Sequence, residues 1–115
     1  MSDHVFPTFR SEMTGKRVVK AQLDAEGVGV SLEGGWSISI WNVADYFVAG
    51  ASVSLSKVSM LEGTFLLQFV GNETEERLVF SNDTELIVHL DAKSSTGPES
   101  MAVHGPNHCI VVWNS

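Results

Sequence analysis

Apolar and polar residues alternate along residues 28–40, and this period of two is typical of a β-strand with one buried face. Six apolar residues share one face of the segment: Val28, Val30, Leu32, Trp36, Ile38 and Ile40. The turn sequence Glu33–Gly35 divides the segment in two. Alternation on both sides of a glycine-bearing turn predicts a β-hairpin, and the serines between the apolar positions predict a second face that is at least partly solvated.

The same pattern recurs in the second half of the chain. Residues 15–42 align with residues 63–90 without a gap. The matched apolar pairs are Val18 with Leu66, Val19 with Leu67, Val30 with Leu78, Leu32 with Phe80, Ile38 with Leu86 and Ile40 with Val88. Glu33–Gly35 falls on Ser81–Asp83, so turn-forming residues coincide as well. One β-hairpin unit used twice is therefore predicted, in a fold with approximate two-fold symmetry.

The segments around the two repeat units complete an all-β prediction. Residues 1–14 are expected to form an irregular N-terminal arm, and residues 15–115 a single β domain that ends in a hairpin over residues 99–113. Segment 43–49 is compatible with either a short helical turn or an edge strand. About eight or nine short strands are expected in all, and this number is usual for a small sandwich or flattened barrel.

Two local features bear on this prediction. Phe6 and Phe9 are the side chains expected to hold the N-terminal arm to the body of the domain. A capped helix beginning at Asn82 or Asp83 is an alternative for the end of the second repeat. A strand is preferred there, because Leu86–Leu90 continues the period of two and the matching segment of the first repeat is β.

Composition and charge narrow the classes of function. The chain has 115 residues, 43% of them hydrophobic and 18% charged, enough for one domain whose core needs no disulfide or metal. Its net charge of −7 argues against non-specific binding to nucleic acid or anionic membranes. Cys109 is the single cysteine, so no intramolecular disulfide forms. Without a signal-peptide or membrane-spanning pattern, a cytoplasmic protein is expected, with neither nucleic acid nor membrane as a partner.

Acidic residues cluster in the second repeat, where Glu73, Glu75 and Glu76 follow one another closely. The simple interpretation is a solvated loop. The alternative is an acidic patch that binds a basic protein partner. Trp41 and Tyr46, beside Phe47, suggest a second candidate surface, because exposed Trp and Tyr often anchor protein interfaces. A second sheet or the N-terminal arm would bury them instead.

His104, His108 and Cys109 are the best cluster with metal-ligating chemistry. Their spacing matches no strong zinc pattern, and polar histidines are common beside a Gly-Pro-Asn turn. Cys109 in the apolar run Cys109–Val112 is typical of a buried strand residue rather than a nucleophile. No catalytic elbow, phosphate loop or dinucleotide motif occurs, so no catalytic residue and no cofactor is assigned.

Two segments resemble known proteins. Leu78–Val88, with the pattern Leu-x-Phe-x-Asn-Asp-x-x-Leu-x-Val, and Glu99–Asn107, which ends in Gly-Pro-Asn, are similar to small bacterial domains of unknown function built from repeated β-hairpins. Met101 stands where those domains carry an aromatic residue. Some related small β proteins are immunity proteins encoded beside bacterial toxins. The resemblance implies an all-β fold and no catalytic residues.

Three functions are therefore compared. The first is a cytoplasmic protein-interaction module, such as an immunity-type inhibitor, whose acidic second half meets a basic surface. The second is a structural β-protein that forms homodimers through the Trp41 face or a strand edge. The third is a ligand- or metal-binding protein that uses His104 and His108.

Overall fold

The computed structural model describes residues 8–42, 44–90 and 99–114. One short helix, α1 (Phe9–Met13), precedes the strands. Ten strands lie in these ranges: β1 (Val18–Asp24), β2 (Gly27–Leu32), β3 (Trp36–Ile40), β4 (Ala44–Val48), β5 (Ala51–Val53), β6 (Leu66–Gly71), β7 (Glu75–Phe80), β8 (Thr84–His89), β9 (Glu99–His104) and β10 (Ile110–Asn114).

The strands form two five-stranded antiparallel sheets that pack as a sandwich. The first sheet, called sheet 1, has the order β1-β2-β3-β9-β10, and the second, sheet 2, has the order β5-β4-β8-β7-β6. The prediction of an all-β sandwich built on two repeated hairpin units is confirmed. The described ranges hold ten strands rather than eight or nine, since the segment after β3 also forms a strand.

The two repeats agree in register as well as in pattern. Val18 pairs with Leu32 at one end of the β1–β2 ladder, and Leu66 pairs with Phe80 at the same place in the β6–β7 ladder. Each ladder is interrupted by a bulge immediately after that pair, before Lys20 in β1 and before Gln68 in β6. Since a bulge adds one residue to one strand, its recurrence at the matched position marks the two hairpins as one structural unit used twice.

The strands that follow each three-stranded unit are exchanged between the sheets. After β3 the chain crosses to sheet 2, where β4 pairs with β8. After β8 it crosses back to sheet 1, where β9 pairs with β3. The approximate two-fold relation therefore extends over all ten strands, and each sheet contains strands from both repeats.

The inner faces of both sheets form the core. Five of the six matched apolar pairs are buried, with no residue more than 3% exposed: Val18 and Leu66, Val30 and Leu78, Leu32 and Phe80, Ile38 and Leu86, and Ile40 and Val88. The sixth pair, Val19 and Leu67, is exposed. Burying each large apolar side chain contributes about 2 kcal/mol. Met13 of α1 and Leu61 of the 3₁₀ segment Leu55–Leu61 also correspond when the alignment is extended toward the N-terminus, and both are fully buried.

The helical segments cover the outer edges of the first strand of each repeat. Glu62 accepts a hydrogen bond from the Ala21 backbone N–H of β1, with an N···O distance of 3.1 Å. The Arg10 guanidinium of α1 donates to the Phe69 backbone carbonyl of β6 at 3.2 Å. Charged side chains on sheet edges oppose pairing with other chains.

The structure corrects one local expectation and decides between alternatives at two further segments. Residues 9–13 form a helix rather than an irregular arm, and Phe9 is buried at 3% exposure, whereas Phe6 lies outside the described residues. Ala44–Val48 is a strand rather than a helical turn, because its backbone pairs with both β8 and β5. Val43 lies outside the described residues. Asn82 and Asp83, with φ of 63° and 57°, form the tight turn before β8, so no helix begins there.

Candidate protein-binding face

The outer face of sheet 2 combines apolar and charged side chains. The acidic face is defined as Asp45 and Phe47 of β4, Glu75, Arg77 and Val79 of β7, Glu85, Ile87 and His89 of β8, and Asp83 of the turn between β7 and β8. The strand positions point outward because they alternate with the core residues of the same strands. Most of these side chains are half-buried. The half-buried side chains pack against their cross-strand neighbours and remain accessible to solvent on their outer side.

An open depression lies in this face between two turns. Phe47, Val79 and Ile87 form its apolar lining, and Asp83 and Glu85 add carboxylates. The Ala49 backbone N–H donates to the Asp83 carbonyl at 2.8 Å, and this bond joins the β4–β5 turn to the β7–β8 turn. The depression is therefore bounded by ordered backbone.

The charges of the acidic face are only partly balanced. Arg77 contacts Glu85 at 3.4 Å and Glu75 at 3.7 Å. His89 Nε2 lies 2.8 Å from Asp45 Oδ2. Four carboxylates thus share one guanidinium and one histidine, so the face is negative near neutral pH.

The corresponding face of sheet 1 has a different character. Five outer positions of β2 and β3 are matched by the repeat to positions of the acidic face: Gly27 with Glu75, Gly29 with Arg77, Ser31 with Val79, Ser37 with Glu85, and Ser39 with Ile87. The first repeat carries only glycine and serine at these positions. The same backbone therefore presents a small, uncharged surface on one sheet and a charged, partly apolar surface on the other.

The prediction that Tyr46 belongs to an exposed aromatic surface is wrong. Its side chain points into the core and is 1% exposed, because Tyr46 alternates with Phe47 and pairs with the core residue Leu86. The hydroxyl has no hydrogen-bond partner among the described residues, and desolvation raises its pKa. Trp41 is half-buried, and its backbone N–H donates to the Ser100 carbonyl at 2.9 Å. Phe47, not Tyr46, is the aromatic residue on the outer face.

The predicted Glu73–Glu76 patch is divided by the alternation of β7. Glu73 lies exposed in the loop before the strand, and Glu75 belongs to the acidic face. Glu76 points inward and is 2% exposed, so the expectation of a surface role for Glu76 is corrected. The acidic residues that share a face with Glu75 come from β4, β8 and the turn before β8.

Glu76 belongs to a partly buried ionic cluster, called the Arg10 latch, which is formed by Phe9, Arg10, Phe69, Glu76 and Trp113. Arg10 donates to both carboxylate oxygens of Glu76 at 2.7 and 3.0 Å, and Trp113 Nε1 donates to Oε2 at 3.2 Å. The guanidinium carbon lies 4.8 Å from the Phe69 ring centroid and 5.1 Å from that of Phe9. The Arg10 latch joins α1, sheet 2 and β10 and is structural.

The structure does not assemble the predicted metal site. His104 and His108 are exposed, whereas Cys109 is 7% exposed. Burial raises the pKa of the Cys109 thiol, and the negative charge of Glu12 raises it further. No group of three His, Cys, Asp or Glu side chains within the described ranges is arranged to hold a metal ion. Asn107 and His108, both with φ near +60°, form the turn between β9 and β10.

The amino-acid sequence does not identify Phe47, Val79, Glu85 and Ile87 as one site. Their alternation with core residues placed them on a common outer face, but nothing in the sequence set β4 beside β8.

No helix in the described part of the chain is long and apolar enough to cross a membrane. Comparison with known protein families, curated proteins and solved structures found no match.

Proposed function

We propose that this chain is a cytoplasmic protein-interaction module, of the kind that includes immunity-type inhibitors, and that the acidic face binds a protein with a basic surface. The observation that carries the proposal is the apolar depression of Phe47, Val79 and Ile87 with carboxylates around it. Protein interfaces commonly have an apolar centre within a polar rim.

Electrostatics supports a basic partner. Four carboxylates against one guanidinium make the acidic face negative, and the whole chain carries a net charge of −7. Opposite charge on a partner would speed the encounter and select against acidic proteins. The serine and glycine face of sheet 1 has no comparable feature on β2 and β3, so the two faces provide an internal comparison.

Site-specific photocrosslinking tests this proposal in cells of the protein's own source. The photoreactive residue p-benzoylphenylalanine replaces either Ile87 of the acidic face or Ser39, the matched position of sheet 1. We expect a defined covalent adduct with a basic protein from position 87 and none from position 39. Combining Glu85→Lys with the position-87 crosslinker should reduce the adduct about tenfold, because like charges then meet at the contact.

The matched control is Glu26→Lys, which makes the same change of charge at an exposed residue of the β1–β2 turn. It should leave the adduct from position 87 unchanged. Equal adducts from positions 87 and 39, or an adduct insensitive to Glu85→Lys, would contradict binding through the acidic face.

A homodimer is the second candidate, favoured by an exposed apolar group where the two repeats meet. The backbones of Arg17 and Phe65 form an antiparallel bridge between the beginnings of β1 and β6. Val19, Phe65 and Leu67 around it are 47%, 43% and 49% exposed. A salt-insensitive dimer by light scattering, lost in Phe65→Ser, would support this function. A monomer at all concentrations would exclude it.

A further inference from the structure

We propose that the depression in the acidic face accepts an arginine side chain of the partner protein. This inference rests on the proposed function and deepens it, since it names the side chain that the face would recognise. Three features support it. They are the order of apolar and charged side chains across the strands, the incomplete pairing of Glu85, and the contacts that Arg10 makes elsewhere in the same protein.

The strand register places a carboxylate between apolar groups. Phe47 of β4 lies directly opposite Glu85 of β8, and Glu85 lies directly opposite Val79 of β7. Ile87 follows two residues after Glu85 on the same face, and Asp83 lies at the rim. A ligand for this arrangement needs an apolar stem to cover Val79 and Ile87 and a cation at its end. Arginine and lysine side chains have this form.

Glu85 retains capacity for a second cation. Its contact with Arg77 is 3.4 Å, and Arg77 is shared with Glu75 at 3.7 Å. Both distances exceed the roughly 2.7–2.9 Å of a strong charge-assisted hydrogen bond. Because the face holds more carboxylates than guanidinium groups, a second guanidinium beside Glu85 and Asp83 would lower the repulsion among them.

The Arg10 latch shows which cation this set of groups holds in the same protein. There a guanidinium lies over the Phe69 ring at 4.8 Å and binds both carboxylate oxygens of Glu76. The depression offers the same two partners, an aromatic ring at Phe47 and a carboxylate at Glu85, on adjacent strands. A planar guanidinium can stack on the ring and pair with the carboxylate together, whereas a lysine ammonium cannot do both equally well.

The test titrates three small probes into ¹⁵N-labelled protein and follows the backbone amides by NMR. The probes are N-acetyl-arginine methylamide, the lysine equivalent, and the citrulline equivalent, which has nearly the shape of arginine without its charge. We expect saturable shifts with the arginine probe at Phe47, Gly50, Thr84 and Ile87, with a Kd of roughly millimolar order for so small a ligand. The lysine probe should bind several-fold more weakly, and the citrulline probe should give no saturable shift.

Two variants and one control locate the binding. Glu85→Gln should weaken the arginine probe about tenfold by removing the charge, and Phe47→Leu should weaken it about threefold by removing the aromatic ring. Glu33→Gln, which removes a carboxylate paired with Arg17 at 3.5 Å on the first repeat, should have no effect. A folded spectrum of each variant confirms that weaker binding is not unfolding.

Equal binding of the arginine and lysine probes, shifts centred outside the depression, or indifference to Glu85→Gln would each overturn the arginine assignment. None of these results would remove an adduct formed at position 87, so the acidic face would still stand as a protein-binding surface. Conversely, saturable arginine binding without any adduct would support the depression as an arginine site and contradict the proposed partner.

Discussion

The two repeats have equivalent inner faces and unlike outer faces. Inward, both repeats place matched apolar residues in the core, as at Ile38 and Leu86, which are buried. Outward, Ser37 and Ser39 of the first repeat correspond to Glu85 and Ile87 of the second. Packing restricts the inner residues because two sheets must fill one core. The outer residues face no such restriction, and the proposed binding surface lies where they differ.

A second difference lies within the interior. The residues that correspond to Arg10 and Glu76 in the other half of the molecule are Val58 and Val28, and both valines are buried. One half of the molecule therefore closes over its sheet with aliphatic contacts, and the other half uses an ion pair with aromatic neighbours. This difference shows that the fold itself does not require the charges.

Replacing Arg10 alone by its matched valine should have the largest effect on stability. Arg10→Val leaves the Glu76 carboxylate buried with the Trp113 N–H as its one remaining close side-chain donor among the described residues, so we expect a loss of about 3 kcal/mol in the free energy of unfolding. Adding Glu76→Val should restore most of it, because both halves then carry the same valine pair. Urea unfolding measures both variants.

The control for this cycle is Glu33→Ala, which removes the exposed Arg17–Glu33 pair. It should cost less than about 1 kcal/mol. A double variant as unstable as Arg10→Val alone would show that the two halves are not interchangeable in this way.

Two glycine substitutions test whether Trp36, at the start of β3, requires a glycine at position 105. The first residue of β3 is Trp36, whereas the matched first residue of β8 is the smaller Thr84. The Trp36 ring packs directly against Gly105. A Cβ added at Gly105 would lie 2.5 Å from the Trp36 ring, so Gly105→Ala should cost about 1–3 kcal/mol. Gly29→Ala, with nothing within 4 Å of its Cβ, should leave thermal stability unchanged or slightly raised. Equal effects would contradict this account of Gly105.

Tyr46→Phe should raise the free energy of unfolding by about 1 kcal/mol, because the buried hydroxyl has no partner among the described residues. The raised pKa of Tyr46 also sets a pH dependence. The unfolded chain releases this proton near pH 10, before the folded chain does, so wild-type stability falls as the pH rises above about 10. Urea unfolding at pH 7 and pH 11 should show a larger gain for Tyr46→Phe at the higher pH.

The smallest effect on stability is expected from exchanging the outer faces. The double variant Glu85→Ser and Ile87→Ser gives β8 the outer residues of β3 and should cost no more than about 1 kcal/mol by urea unfolding. The same variant should abolish saturable binding of the arginine probe. Retained binding would place recognition outside the acidic face.

The hairpin turns and the apolar core positions were predictable, since alternation and turn chemistry act over a few positions. Val28–Ile40 and its counterpart in the second repeat form strands and turns as the sequence indicates. Residues 9–13 and 44–48 were not predictable in the same way. Helix α1 is held by Phe9 and Arg10 against β6, and β4 is held by backbone pairing with β8, so both depend on distant partners.

The candidate site shows the same limit. Glu73, Glu75 and Glu76 are close in sequence, but a strand period of two sends Glu76 into the core and Glu75 outward. Tyr46 and Phe47 separate for the same reason. The three apolar residues of the depression come from three strands. The neighbours β7 and β8 follow from their hairpin, but nothing in the sequence predicts that β4 pairs with β8.

By itself the sequence determined that the chain folds into two equivalent hairpin units with apolar inner faces, because those features follow from local periodicity and turn geometry. Only the tertiary structure decided that the later strands of each repeat cross to the other sheet. This exchange brings Phe47 beside Glu85, and the packing of α1 against β6 brings Arg10 onto Glu76. Contacts between distant residues depend on how the whole core packs, and therefore both the acidic face and the Arg10 latch emerged only with the fold.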